Sequence, residues 1–247
     1  AFGWKKFTSG RGCLHQCSYC YQPAYHQLCR DKGPYVRRKS PQRVIAEVMA
    51  VRARYPLTNV HFSDDLFITG VEWLRSFAAA YRDKVGVPFT VNSSADFVSP
   101  QTAGCRAVAI GVETADEGLR QSILNKRLTN DTIRRAARLI RDQGMTLVTF
   151  NMIGSPHETL EQAIGTMRFN AELQTDYARL GFCMPIPKTE LAERALADGI
   201  CLDDFTGDIY SMTSDDDRGP HAHFKTALPE PSSFVNLYHL FNIGVRY

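Results

Sequence analysis

The sequence has no apolar run that approaches a membrane span: its longest, such as Phe77 to Tyr81, fall far short of the roughly 18 to 20 residues a spanning helix needs. It has no excess of one charge either. Lys and Arg number 29 against 26 Asp and Glu, a formal +3 over 247 residues. These charges are spread over mixed-sign segments with no basic stripe, so nucleic-acid binding is unsupported. There is no G-x-G-x-x-G after a strand, no P-loop and no G-x-S-x-G, which leaves nucleotide hydrolysis and serine chemistry without support. The cysteines do not form a secreted disulfide framework: their number, seven, is odd, three crowd into residues 13–20 and four are scattered. A reducing cytosol suits that layout. No charged-then-apolar leader opens the chain, which reads as a soluble, cytoplasmic protein. It begins at Ala1 without Met, which suggests a processed or excised chain with room for a partner domain upstream.

What is present is an ordinary globular composition, 44% hydrophobic and 22% charged, which excludes disorder and collagen-like repeats and can bury a full core. Strand-like and helix-like segments alternate. Strands are expected at Lys5–Ser9, Asn59–Ser63, Pro88–Ser93, Arg106–Val112, Thr146–Ile153 and Arg179–Met184. Between them, Ser40-Pro41 caps and opens a helix to about Arg54 with Val44, Ile45, Val48 and Val51 on one face. Further helices are expected near Val71–Arg82, Thr129–Gln143 and Thr159–Leu173. Six such repeats in about 195 residues predict an α/β fold, a partial (β/α)6 barrel, with polar residues at the C-terminal ends of its strands. Between Ser94 and Arg106 there is room for little more than a turn or two, so the third crossover is stunted or residues are missing from it.

The informative motif follows the first strand: Cys13-Leu14-His15-Gln16-Cys17-Ser18-Tyr19-Cys20, a C-x3-C-x2-C run. Thiolates are soft ligands for zinc or iron–sulfur clusters, and three of them in a tight loop can bind three irons of a [4Fe–4S] cube. The fourth iron then stays open to a chelating substrate, as a catalytic zinc keeps one position free.

This spacing, with Tyr19 before the third cysteine, resembles the radical S-adenosylmethionine (SAM) superfamily. Ser63-Asp64-Asp65, Gly111-Val112-Glu113-Thr114, Gly154-Ser155-Pro156-His157-Glu158-Thr159 and Pro185-Ile186-Pro187-Lys188-Thr189-Glu190-Leu191 end successive strands. With them the resemblance covers residues 5 to 195 and extends to the branch that carries an N-terminal cobalamin-binding domain. It implies that Cys13, Cys17 and Cys20 hold a [4Fe–4S] cluster whose open iron chelates SAM, giving a 5′-deoxyadenosyl radical after one-electron reduction. The backbone at Tyr19 then meets the adenine. Ser63, Asp64 and Asp65 replace the family's usual Gly-Gly-Glu, and one of them accepts from the methionine ammonium. Glu113 accepts from the ribose hydroxyls, and Arg127 pairs with the methionine carboxylate. The partners implied are a small-molecule or natural-product substrate and an external one-electron reductant of flavodoxin or ferredoxin type.

Three functions follow: cobalamin-dependent methylation of an unactivated carbon first, then a cobalamin-independent radical SAM reaction such as oxidative cyclisation or sulfur insertion, then a non-catalytic zinc or electron-transfer module with Cys29 as fourth ligand. The D-x-H-x-x-G pattern of many cobalamin domains is missing, so a cobalamin site is expected to be completed upstream of Ala1. Other signals point to structure. Cys105, Cys183 and Cys201 sit in or beside apolar runs and read as small buried hydrophobes. Glu113 has an alternative as a helix N-terminal charge and Arg127 as a surface residue. His221-Ala222-His223 and Asp215-Asp216-Asp217 read as polar loop. Residues 1–195 are expected to form the barrel and 196–247 an extension that closes it and shapes the substrate cavity, with Phe234, Leu237, Leu240 and Phe241 forming the apolar face of a last helix.

Overall fold

The computed structural model describes residues 3–68, 70–99, 105–202, 222–226 and 232–246. The chain forms two compact units. The first comprises Ala1–Leu14, Arg30–Gly111 and Asp131–Val148, the second His15–Cys29, Val112–Asn130 and Thr149–Tyr247.

Among the described residues eight strands form: β1 (Trp4–Phe7), β2 (Gly10–Arg11), β3 (Arg37–Arg38), β4 (Asn59–Phe62), β5 (Phe89–Ser93), β6 (Ala107–Glu113), β7 (Thr146–Ile153) and β8 (Tyr177–Phe182). Six of them make a parallel sheet in the order β1-β4-β5-β6-β7-β8, and β2 and β3 pair separately, antiparallel. With helices after successive strands this is the α/β partial barrel expected from the alternation.

In the first unit α2 (Pro41–Arg52) starts as the sequence dictates. The Ser40 hydroxyl accepts the Arg43 N–H at 3.2 Å and Pro41 takes the first helical position, where its missing N–H costs nothing. Val44, Ile45 and Val48 are buried from it. On β4, Val60 and Phe62 alternate inward. The Phe62 ring, fully buried, lies within 4.9–6.2 Å of the rings of Phe67, Phe77, Tyr81 and Phe89. Phe77 and Tyr81 come from α3 (Val71–Lys84) and Phe89 opens β5, so one aromatic cluster joins a helix to two strands. The register Val60 opposite Phe89 follows.

In the second unit α4 (Glu117–Ser122) follows β6, and its N-cap is Asp116, which accepts the Leu119 N–H at 2.8 Å. The side chain that caps this helix is thus Asp116, three residues after Glu113. α6 (Leu160–Glu172) carries a full capping box between Thr159 and Gln162. Thr149, Asn151 and Asn170 form a buried network between β7 and α6. Thr149 donates to Asn170 at 2.6 Å, and Asn170 donates to Asn151 at 2.7 Å. α8 (Ser232–Arg246) packs Phe234, Leu237 and Phe241 against Ile153, Ala163 and Ala178. Leu240, expected on that apolar face, is 55% exposed, because one residue before Phe241 it lies to the side of the arc that Phe234, Leu237 and Phe241 share. Three helices were not anticipated, α1 (Gln22–Leu28), α4 and α7 (Glu190–Ala197). The helix α5 (Asn130–Asp142) buries Ile133, Ala136, Ala137 and Ile140 as its periodicity predicts.

Of the crossover after β5, the described residues form one 3₁₀ turn, Ala95–Phe97, and residues 100–104 lie outside the described residues. No described helix is long and apolar enough to cross a membrane. The Asp215–Asp217 run and His221 lie outside the described residues, while His223 is buried.

Truncating the ring at the centre of the aromatic cluster should show where the stability resides. Phe62→Ala is expected to lower unfolding free energy by about 3–5 kcal/mol, whereas Leu240→Ser should stay within about 0.5 kcal/mol of the parent, both read from urea midpoints.

Candidate functional site

In the first unit the chain turns from β1 into the cysteine loop. Asp64, at the end of β4, is buried there, and its carboxylate accepts the Ser9 N–H at 3.0 and 3.1 Å, the Ser9 hydroxyl at 2.8 Å and the Gly10 N–H. A carboxylate that takes this many donors holds the strand exit rigidly. Arg38, whose guanidinium is lowered in pKa by burial and held up by Asp64, lies over the Trp73 ring at 4.3 Å and donates to the Leu66 carbonyl. Gly12, one residue before Cys13, has φ +88, and a Cβ there would sit 2.8 Å from the Tyr35 carbonyl. Only glycine allows this approach. Ser63 and Asp65 flank Asp64 and are exposed.

The second unit holds the rest of the loop. Ser18 is pinned on three sides: its N–H donates to the Leu124 carbonyl at 3.0 Å, its hydroxyl to the Ile123 carbonyl at 2.6 Å, and its carbonyl accepts the Leu191 N–H at 2.9 Å. Asn125 adds a bond to the Gln16 carbonyl. Cys17 is buried, and burial pushes its thiol up to about 11, with Lys126 and Tyr19 acting in the opposite direction. The Cys20 sulfur accepts the Gln22 N–H at 3.5 Å. All seven cysteines are thiols rather than disulfides. Cys105 and Cys183 are buried as expected, while Cys201 is half-buried because its strand bridge to Phe224 keeps it at the core's edge.

Glu113 is the centre of this unit. It has φ 63, and the Thr114 N–H reaches back to the Val112 carbonyl at 2.9 Å. This is a γ-turn of the strained, positive-φ kind, uncommon for a residue with a side chain. The Oε1 atom accepts from Lys126 Nζ at 2.8 Å and from the Tyr19 hydroxyl at 3.1 Å, and both ion-pair side chains are 8% exposed. Burial, then the Glu113 charge, hold the Tyr19 phenol well above its usual pKa. Oε2 has no bond to the described residues. Arg127, the expected carboxylate partner, is exposed, and its neighbour Lys126 is the cation that turns inward. Lys126 carries a signal that the reading passed over: Leu124, Lys126 and Leu128 alternate onto one buried face.

Arg120, fully buried, braces the same turn. Its Nε donates to the Val112 and Thr114 carbonyls at 3.2 and 3.0 Å, Nη1 to the Leu128 carbonyl at 2.9 Å and Nη2 to Asn130 at 2.6 Å. After β7, Gly154 (φ +74) turns the chain, and Glu158 folds back so that its Oε2 accepts the Ser155 N–H at 2.9 Å. Glu158 Oε1 and Ser155 Oγ are buried without a hydrogen-bond partner. Burial pushes the Cys183 thiol up to about 12, with the nearby Ser155 hydroxyl acting in the opposite direction. Burial, aided by Asp116, pushes the Glu158 carboxyl up to about 7.

The donor chemistry of the cysteine loop suits an iron–sulfur group: a buried thiol, Cys17, electrostatically coupled to a second, Cys20, which takes a backbone N–H. The third, Cys13, belongs to the first unit. Among the described residues no three His, Cys, Asp or Glu side chains are gathered closely enough to hold a metal ion by themselves.

Comparison with known proteins gives a consistent family. The Radical SAM superfamily model matches residues 7–169. An uncharacterized methyltransferase of Pyrococcus horikoshii is 27% identical over 203 residues, 78% of this chain and 42% of its own length. The cytidylyl-2-hydroxyethylphosphonate methyltransferase of Streptomyces wedmorensis is 23% identical, over 84% of this chain and 40% of its own. The chain therefore spans about two fifths of these relatives. Among solved structures, the radical S-adenosylmethionine methyltransferase TsrM of Kitasatospora setae, with cobalamin and a [4Fe-4S] cluster bound, matches with a TM-score of 0.68. It is 17% identical, over 94% of this chain and 46% of its own.

Two outcomes check the electrostatics. Lys126→Met leaves Glu113 charged and buried, and should cost about 3–5 kcal/mol, most of it recovered in Lys126→Met/Glu113→Gln when chemical unfolding is compared. For Glu158 the folded carboxyl keeps its proton to about 7 whereas its ordinary value is 4.5. The stabilisation is thus full below pH 4.5 and lost as pH rises through 7, by about 3 kcal/mol. Glu158→Gln should flatten that part of the stability–pH curve.

Proposed function

The chain belongs to the radical SAM superfamily, and from that premise we propose that it is the catalytic barrel of a cobalamin-dependent radical SAM methyltransferase acting on an unactivated carbon of a small-molecule or natural-product substrate. The observation that carries the reading is the hydrogen bond from Tyr19, inside the cysteine loop, to Glu113 at the end of β6. It ties the segment that would hold the cluster to the carboxylate that would hold SAM. The methyltransferase relatives and the cobalamin-bound neighbour support the finer reading.

Cys13, Cys17 and Cys20 are the residues that would hold a [4Fe–4S] cluster. A cluster held there would supply the electron for reductive cleavage of SAM. The chain's own residues bind and orient. Glu113, fixed through Oε1 by Lys126 and Tyr19, presents Oε2 as an acceptor-only partner for the ribose hydroxyls. The Tyr19 backbone lies beside the adenine in this reading. The Asp64 carboxylate is committed to Ser9 and Gly10, so Asp65, or the Ser63 hydroxyl or carbonyl, receives the methionine ammonium. Arg127, exposed next to Lys126, pairs with the methionine carboxylate. Rigidity at these positions orients the sulfonium, and exclusion of water keeps the radical from other hydrogens. The reductant is an external one-electron carrier of flavodoxin or ferredoxin type, and residues 196–247 shape the substrate cavity.

The test is anaerobic and uses the full-length protein. Its iron, sulfide and corrinoid content and its paramagnetic resonance spectrum with and without SAM are measured first. Replacing Cys13, Cys17 or Cys20 by Ala should remove the cluster while Cys29→Ala retains it. Glu113→Gln should weaken SAM binding by about ten- to hundred-fold at unchanged cluster content. Unaltered SAM affinity would reduce Glu113 to a structural role, and a corrinoid-free active protein would remove cobalamin from the assignment.

A further inference from the structure

At the N-terminal ends of β5 and β6, wholly within the first unit, lies a cavity of about 450 Å³. Its walls include Ala78 from α3, then Val87, Pro88 and Phe89. Cys105 and Arg106 close it from the start of β6, and Gln143 from the end of α5.

Two features distinguish this cavity from a packing fault. Arg82 and Arg106 both line it, both are exposed, and neither meets a carboxylate among the described residues. Two other wall residues keep buried polar atoms without a hydrogen-bond partner, the Tyr81 hydroxyl and Gln143 Oε1. Native interiors pair such atoms with protein, water or ligand, and of the two the Tyr81 hydroxyl is a donor that a carboxylate in this cavity can take up. Apolar walls with a few convergent polar groups are the common form of small-molecule sites, and this volume is within their range.

We propose that the cavity binds a small carboxylate with an apolar, arylalkyl body. The carboxylate pairs with Arg82 and Arg106, and the body lies on Val87, Pro88 and Phe89. The cavity's walls belong to the first unit, and Glu113 to the second.

Calorimetric titration of the full chain with 3-phenylpropionate tests this. One saturable site is expected, with Kd of about 1 mM or tighter. The neutral analogue 3-phenylpropionamide should bind at least about tenfold more weakly, as should 3-phenylpropionate to Arg82→Gln/Arg106→Gln, since a charge-assisted pair is lost. Val87→Trp, which fills the cavity, should abolish binding while its melting temperature shows that the fold persists. The proposal is overturned by absence of saturable binding to the wild type, by equal affinity for acid and amide, by binding that Val87→Trp leaves untouched, or by self-association of the chain across this face that excludes the probe.

Discussion

The buried ion pair between Glu113 and Lys126 is the constraint from which the second unit is organised. A carboxylate and an ammonium removed from water are tolerable only when each finds its partner at short range, and the 2.8 Å contact fixes both backbones. Glu113 is thereby held in a positive-φ turn that its side chain would otherwise disfavour. Arg120 takes up the carbonyls this turn leaves, at Val112, Thr114 and Leu128. Tyr19 then carries the arrangement into the cysteine loop. One interaction thus links the end of a strand, the segment before α5 and the loop that bears Cys17 and Cys20.

The first unit uses the same device with different residues. Asp64 gathers the donors of Ser9 and Gly10, and Gly12 allows the chain to pass the Tyr35 carbonyl. In both units a carboxylate at the C-terminal end of a strand is fixed by local donors. Preorganisation of this kind sets ligand-binding groups in place before a ligand arrives, so little reorganisation is left for the binding step. The two carboxylates differ in what they leave over: Asp64 is occupied through both oxygens, while Glu113 is occupied through one.

Glu158 and the cavity at the start of β5 and β6 show what the fold tolerates. A carboxyl buried with one oxygen unpaired is kept neutral over much of the accessible pH range by desolvation. Apolar wall lies beside Arg82 and Arg106 at the start of β5 and β6, where the strand register is regular: Thr90 lies opposite Ala107 and Ser93 opposite Ile110.

The alternation of strands and helices was legible in the sequence because burial imposes a period on it. Thr146–Ile153 alternates residue by residue, the helix after Asn130 repeats Ile133, Ala136, Ala137 and Ile140, and Ser40-Pro41 marks a helix start by its hydrogen-bond chemistry alone. The cysteine loop was legible for a similar reason, since ligand spacing is local. Short elements such as α1, α4 and α7 were not, because a turn or two of helix carries too few residues to show a period. Nor could local pattern reveal that Lys126 rather than Arg127 turns inward, that Asp64 closes on Ser9 55 residues away, or that Arg120 is fully buried. Those depend on which donors and acceptors meet across long sequence separations. The sequence by itself determined the family, the order of the elements and the cysteine ligands to be tested; the tertiary structure alone decided which charges are paired, because pairing is a matter of distance and exclusion of water.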